Sequence, residues 1–596
     1  MVLATDNRIA TLWQLSRQAY GRYKLHIAAL AALSFVSGIL EGVGINALIP
    51  LFSFALGDSG SQKDIITRVI EQAFAAVHVA FTVKYLLLFI ASLFIVKALL
   101  TVVLDYIRIR ITADYEERTR VTLFSKFLAA DWPFLLRQKL GHLETTLMLD
   151  VPYGSRLLGE ISSLFIKVVS LAIYILVALN ISAVVTLLTL VLGGIIFLAY
   201  KPMLYRIKLL AEARTLVNRA AAHHVNENLL GIKTVKAMTV ADPVRKKAEG
   251  HFRTLKGLLV KGGMYKSFTG SFIQPIGVVF IILVFAFTYR TSTFNLASLI
   301  AIVYLIERIF IYVQQLQSSL NGVNDAIPHL RNILQYEQKS GTHRESNDGT
   351  SKFVLQKELQ FKKICFSYPG KKDVLSDLSF SIKKGELIGL IGPSGVGKTT
   401  LVDLILRLLT PTEGEILLDE QDMESIELTD WRRNIGYVSQ DIFLMNDTVA
   451  NNIRFYDDTI TDKELRVAAK LANIGGFVDT LPQKYETIIG ERGVMLSAGQ
   501  RQRIVIARIL ARQPQLLILD EATSALDNES EAQIHEVIKN LKGRITVLVI
   551  AHRLSTVMDS DRLLVLENGT LAEEGSPTAL LKDKKSYFFR AYNIIK

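Results

Sequence analysis

The hydrophobic pattern divides the chain near residue 330. Before that point six apolar stretches recur, near residues 25–56, 82–112, 160–180, 182–203, 267–289 and 294–325. A helix needs about 20 apolar residues to cross roughly 30 Å of hydrocarbon, so each stretch predicts a membrane span. The first, second and sixth are longer than a bilayer requires and predict helices that project beyond it. Pro50 in the first and Pro275 in the fifth predict kinks, because proline removes a backbone donor. Residues 7–24 mix Ile9, Leu12, Trp13, Leu15 and Tyr20 with Arg and Gln. That pattern predicts a helix lying along the membrane, anchored by Trp13 and Tyr20; an ordinary surface helix is the alternative.

After residue 352 the pattern changes. Short β-rich runs alternate with helical ones, as in an α/β domain with a largely parallel core. The polar, Gly- and Ser-containing residues 336–352 read as a linker. The chain therefore divides into an interfacial helix (1–24), an all-α six-helix transmembrane domain (25–335) with long helical extensions, the linker, and an α/β domain (353–596).

Composition agrees: 50% of the 596 residues are hydrophobic. The net charge of +12 matters less than its placement. Basic residues crowd the segments from Arg108 to Arg156 and from Lys201 to Lys266, between the second and third and the fourth and fifth spans. The intervening short turns hold almost none. This is the positive-inside asymmetry, so both long loops are predicted to be cytoplasmic, and no nucleic-acid partner is expected. Both loops read as helical extensions that reverse near Asp131-Trp132-Pro133-Phe134 and near residues 231–236. Cys365 is the single cysteine, which excludes an intrachain disulfide and a CxxC metal site. No cleavable signal peptide is expected.

Charge inside a span costs about 2.5–3.5 kcal/mol per group on insertion scales and needs a reason. Glu41 lies midway along the first span, Lys97 along the second, and Glu307 and Arg308 within the sixth. Two readings stand for Glu41 and Lys97: contacts to a charged or glycosylated substrate, or a structural pair that neutralises itself.

The α/β half carries the chemistry. The apolar run Glu386–Ile391 leads into Gly392-Pro-Ser-Gly-Val-Gly-Lys-Thr399 and then a helical pattern. This is GxxxxGK[ST] in strand–loop–helix context. Glycines let backbone N–H groups turn toward phosphate oxygens, and a helix start adds its positive end. Lys398 is expected to reach the β- and γ-phosphates of a nucleotide, and Thr399 to ligate Mg²⁺. Leu516-Leu-Ile-Leu-Asp520-Glu521 is a strand ending in two carboxylates. Alone these would read as surface groups; beside a P-loop, Asp520 suits Mg²⁺ and Glu521 suits polarising a water. His552 and Gln440 end two further buried-strand patterns.

Together these motifs resemble the ATP-binding cassette family. Leu496-Ser-Ala-Gly-Gln-Arg-Gln-Arg503 is similar to that family's signature sequence. The resemblance implies two ATP molecules held between two head-to-tail cassettes, each signature capping the ATP on the other's P-loop. It implies ATP contacts from Tyr368, Gly392, Ser394, Gly395, Gly397, Lys398, Thr399 and Thr400 of one chain and from Ser497, Gly499 and Gln500 of the other. It implies Thr399, Gln440 and Asp520 at Mg²⁺, Glu521 as candidate base, and His552 at the γ-phosphate. Ser524-Ala-Leu-Asp527 resembles the loop that meets the other cassette. Ala498 departs from the family's LSGGQ and raises the question of a Cβ where a positive φ or a phosphate needs none. Six spans before one cassette resemble the exporter class and imply a homodimer. Residues 38–52, with Glu41 and Pro50, and Lys97 in the second span resemble bacterial lipid-linked oligosaccharide flippases. That likeness implies an inner-membrane ATPase moving a lipid-linked glycan or polysaccharide precursor, with its ATP-binding domain in the cytoplasm. A multidrug or lipid exporter, or an ATP-gated regulator or channel, are the alternatives.

Overall fold

The computed structural model describes residues 17–48, 50–51, 54, 65–76, 78–138, 140–288, 296–370, 372–520, 527–551 and 554–595. By internal contacts the chain forms two units: residues 1–130 with 137–344, and residues 131–136 with 345–596.

The first unit is all helix. Its main elements are α1 (Lys24–Asn46), α2 (Val83–Leu128), α3 (Val151–Ile181), α4 (Ala183–Leu230), α5 (Ala241–Ser271), α6 (Ile273–Thr288) and α7 (Leu296–Thr342). α2 and α4 hold 46 and 48 residues. At 1.5 Å per residue each is about 70 Å long, more than twice a bilayer's hydrocarbon. Among the described residues, five helices are long and apolar enough to cross a membrane. In the apolar window of α2 only 11% of residues are buried, so its apolar side chains face outward rather than into a core. The sixth expected span is helical as α7, but Glu307, Arg308 and a run of Gln, Ser and Asn from Gln314 to Asn321 dilute it.

Local chemistry sets the breaks. Ser182, in extended geometry, separates α3 from α4, and its hydroxyl caps α4 by accepting from the Val185 N–H at 3.5 Å. Pro275 lacks the N–H that the Ser271 carbonyl would receive, and the helix is interrupted at Phe272. α1 stops at Asn46, shorter than the 32 residues of apolar pattern. A π-helical segment, Thr146–Asp150, precedes α3. There the fully buried Asp150 accepts from Arg219 of α4 and lies 2.6 Å from His329 Nδ1 of α7, tying three helices together.

The interfacial anchors are partly corrected. Trp13 lies outside the described residues. Tyr20 is 2% exposed, packs against Tyr115 and donates to the Gly154 carbonyl at 2.6 Å. Its ring seals a protein contact, not a headgroup layer: a hydroxyl satisfied inside the protein gains nothing from the interface.

The second unit has two sheets. A four-stranded antiparallel sheet, in order β2-β1-β4-β5, comprises β1 (Glu358–Ser367), β2 (Asp373–Lys383), β4 (Glu413–Leu418) and β5 (Gln421–Asp422). A six-stranded sheet, in order β10-β9-β3-β8-β7-β6, comprises β3 (Leu387–Ile391), β6 (Ile435–Val438), β7 (Leu516–Asp520), β8 (Thr546–Ile550), β9 (Arg562–Glu567) and β10 (Thr570–Gly575). Its inner strands are parallel, and every residue of β3, β7 and β8 is buried. Continuous apolar runs of this kind are what a sheet covered on both faces requires. The carboxyl ends of these strands carry the candidate site.

Candidate functional site

β3 delivers the chain into the loop Gly392–Gly397, which feeds α8 (Lys398–Ile405). Gly392, Gly395 and Gly397 have φ of 154°, 79° and 107°. At Gly392 a Cβ would stand 2.3 Å from the Leu566 carbonyl oxygen, and at Gly397 2.7 Å from Leu375 Cδ2. Backbone conformation and space both exclude a side chain at these two positions. Ser394 and Thr399 are exposed on the loop surface. Lys398, 6% exposed, folds over the loop and donates to the carbonyls of Gly392 at 2.8 Å and Pro393 at 2.9 Å. Thr400 is buried, with its hydroxyl 3.3 Å from that of Tyr368. Tyr368 follows β1 and stands edge-on to Phe366. These residues form one contiguous cradle.

Asp520, at the end of β7, is buried and accepts from the Tyr437 hydroxyl of β6 at 3.3 Å. Burial and the nearby Asp520 push the Asp403 carboxyl of α8 up to about 6. Burial and Asp520 likewise raise the Tyr437 hydroxyl above its ordinary range. Neither Asp403 nor Tyr437 belongs to the recognised motifs. Their only sequence signals were a lone carboxylate on an amphipathic helix and a tyrosine in a buried strand. Gln440 is exposed in the bend after β6. Glu521, Ser524 and His552 lie outside the described residues.

Ser497, Gly499 and Gln500 sit on another element, the start of α9 (Ala498–Leu510). Ser497 caps this helix: its hydroxyl accepts from the Gln500 N–H at 3.2 Å, and the Gln500 side chain accepts from the Ser497 N–H at 2.9 Å. Ala498 is the first helical residue and is not among the positive-φ positions. Its Cβ therefore adds no backbone strain. Gly499 has a packing reason. A Cβ there would stand 2.4 Å from Ser530 Oγ on α10 (Asn528–Leu541). Asp527 caps α10 by accepting from the Ser530 N–H at 3.2 Å.

The cradle fits a nucleotide triphosphate on its own geometry: left-handed glycines that no side chain could replace, a lysine, and a helix start. Thr399 and Asp520 are the oxygen donors suited to Mg²⁺. Among the described residues no three His, Cys, Asp or Glu side chains form a metal cage. Mg²⁺ needs none, since it is commonly held by one or two side chains together with phosphate oxygens.

In the first unit, Glu41 of α1 and Lys97 of α2 form an ion pair of 2.7 Å. Glu41 also accepts from the Tyr312 hydroxyl of α7 at 3.1 Å. Arg308 donates to the Tyr304 hydroxyl at 2.8 Å.

Two family models match the chain: ABC transporter transmembrane region over residues 29–313, and ABC transporter over residues 375–524. The chain belongs to the ABC transporter family. It is a multi-pass exporter whose ATP-binding domain couples ATP hydrolysis to transport. It is 29% identical over 472 residues to the heterocyst differentiation ATP-binding protein HepA of Nostoc sp., covering 78% of this chain and 77% of that protein. It is 29% identical over 536 residues to the ATP-dependent lipid A-core flippase of Desulfotalea psychrophila, covering 89% and 93%. Over 246 residues it is 45% identical to the lipid A-core flippase of Haemophilus influenzae, covering 41% and 42%. The fold is similar to that of a bacterial Atm1-family ABC exporter with ATP bound, with a TM-score of 0.79 and 24% identity over 96% of this chain and 99% of that one.

Proposed function

We propose that two copies of this chain form a flippase for a lipid-linked glycan in the bacterial inner membrane. The observation that carries the reading is the division of the ATP chemistry within each chain. One P-loop cradle lies on β3 and α8, and one signature helix start lies on α9. Two copies, head to tail, supply Lys398 from one chain and Ser497 from its partner to each ATP. Thr399, Gln440 and Asp520 would hold Mg²⁺, which when bound would neutralise charge on the phosphates. Glu521 orients the attacking water, and His552 meets the γ-phosphate. The basic loops between spans support a cytoplasmic ATP-binding domain. Closure of the cassettes biases the membrane helices between two states.

The cargo reading draws on the likeness of residues 38–52 to lipid-linked oligosaccharide flippases, and on relatives that bear the name of lipid A-core flippases. The test is transfer of a fluorescent lipid-linked oligosaccharide between leaflets of proteoliposomes. ATP should drive transfer by the wild type, and Glu521→Gln should abolish it while retaining bound ATP. ATP turnover without transfer of any lipid-linked glycan, but with stimulation by amphipathic drugs, makes the protein a multidrug exporter instead.

A further inference from the structure

The parallel pairing of β6 and β7 sets Tyr437 beside Ile518, and Asp520 follows two residues further along β7. Side chains alternate between the faces of a strand, so Ile518 and Asp520 share a face, and Tyr437 shares it with them. The two cores of the domain show the same alternation. Ile435, Leu516 and Ile518 are buried in the core that contains Leu401 and Leu404 of α8, with Tyr437 packed against it. Val438, Leu517 and Leu519 belong to the other core, on the opposite face. Tyr437 and Asp520 are thus the last side chains of their strands on the α8 face, at the carboxyl edge that carries the cradle. Register brings the phenol to the carboxylate, and the hydroxyl donates to Asp520 Oδ2 at 3.3 Å.

Asp520 is 6% exposed, so its surroundings are protein rather than water. Burial and Asp520 raise the Tyr437 hydroxyl above its ordinary range, so it keeps its proton and meets the carboxylate as a donor. The Asp403 carboxyl of α8 faces the same two groups. Repulsion from Asp403 gives the Asp520 carboxylate a reason to turn, and the hydroxyl opposes the turn. Orientation matters for a carboxylate that holds a cation, because hydrogen bonds from neighbouring groups aim its lone pairs. Mg²⁺ demands near-ideal octahedral geometry and tolerates a misdirected oxygen poorly. A buried tyrosine also needs an acceptor for its own sake. The two roles differ in what loss of the hydroxyl changes: the hold on the cation, or the fold alone.

We propose that Tyr437 is a positioning residue for the ATP chemistry, whose hydroxyl fixes the plane of the Asp520 carboxylate and so sets how tightly the site holds Mg²⁺ when ATP is bound. Tyr437 acts through Asp520, and the inference rests on the reading of Asp520 as a ligand of that cation. None of the recognised motifs includes this tyrosine, which stands three positions before Gln440.

The experiment uses the full chain in lipid nanodiscs, loaded with the non-hydrolysable analogue AMP-PNP, with Mn²⁺ standing in for Mg²⁺. Electron paramagnetic resonance counts free Mn²⁺ and gives its dissociation constant from the protein–nucleotide complex. Tyr437→Phe should raise that constant about tenfold, the lower end of what losing a partner of a metal-holding side chain produces. Its affinity for AMP-PNP in EDTA should match the wild type. The Mg²⁺ concentration that half-saturates ATP turnover should rise in parallel. In an Asp520→Asn background, Tyr437→Phe should add no further loss, since the hydroxyl works through that carboxylate. Wild-type Mn²⁺ affinity in Tyr437→Phe overturns the proposal. So does loss of AMP-PNP binding in EDTA, which makes the hydroxyl a structural group. If Asp520→Asn holds Mn²⁺ as tightly as the wild type, the reading of Asp520 falls and the proposal with it. If Asp520→Asn weakens Mn²⁺ binding and Tyr437→Phe does not, only the role of Tyr437 is refuted.

Discussion

Lys97 Nζ lies 2.7 Å from Glu41 Oε1, joining the first two long helices through a pair of charges within apolar spans. The carboxylate is held on the other side by Tyr312. Glu41 is 7% exposed, so removing Lys97 strands its charge. Breaking a buried pair costs about 3–5 kcal/mol, whereas removing both partners costs far less. Lys97→Met should therefore lower the thermal midpoint sharply, and Glu41→Gln in the same chain should restore most of it. A Lys97→Met protein as stable as the wild type, but deficient in transport, would favour the substrate role for both residues.

Lys398 is held over the P-loop by two carbonyls, and its ammonium is the loop's only side-chain cation. Charge-assisted hydrogen bonds contribute about 1.5–3 kcal/mol, so Lys398→Ala should weaken ATP binding on the order of tenfold or more. Fluorescence titration with a labelled ATP analogue reads this directly. Unchanged affinity would remove Lys398 from the phosphate site.

Gly499 presents its Cα to Ser530, which leaves no room for a methyl group. Overpacking a site of this kind costs about 1–3 kcal/mol, so Gly499→Ala should destabilise the ATP-binding domain. Ser530→Gly in the same chain should recover most of the loss, as read by denaturant midpoints of the two single variants and the double. Additive losses would show that the two residues do not share the contact.

Asp403 makes stability depend on pH. Its folded pKa, near 6, lies above the ordinary carboxyl range because burial and Asp520 oppose its charge. The neutral form is therefore favoured by folding. Its contribution is full below pH ~4 and is lost as pH rises through about 6. Asp403→Asn stays neutral throughout and should exceed the wild type in stability above that pH. The difference should vanish in acid. Parallel melting curves at all pH values would place Asp403 away from Asp520.

Several features were legible in the chain because their causes are local. Pro275 removes a donor wherever it stands, so the break beside it followed from one residue. The buried runs of β3, β7 and β8 and the glycines of the P-loop were legible for the same reason, since each demands a particular backbone or a covered strand. Ala498 was read in isolation: the capping by Ser497 makes it a helical residue, so the backbone part of the expected penalty disappears. Tyr20 was misjudged because an amphipathic pattern says that a face is covered, not what covers it.

The sequence by itself determined the kinds of element, the membrane-spanning character and the nucleotide cradle, because hydrophobic period, proline, glycine and capping residues act within a few positions of themselves. Only the tertiary structure decided which distant groups meet. Asp150 and His329 are 179 residues apart, and no periodicity connects them. Glu41 finds Lys97, Asp520 finds Tyr437, and Gly499 finds Ser530 for the same reason. Burial turns such meetings into energetic constraints, since a charge or hydroxyl removed from water must find its partner inside the fold.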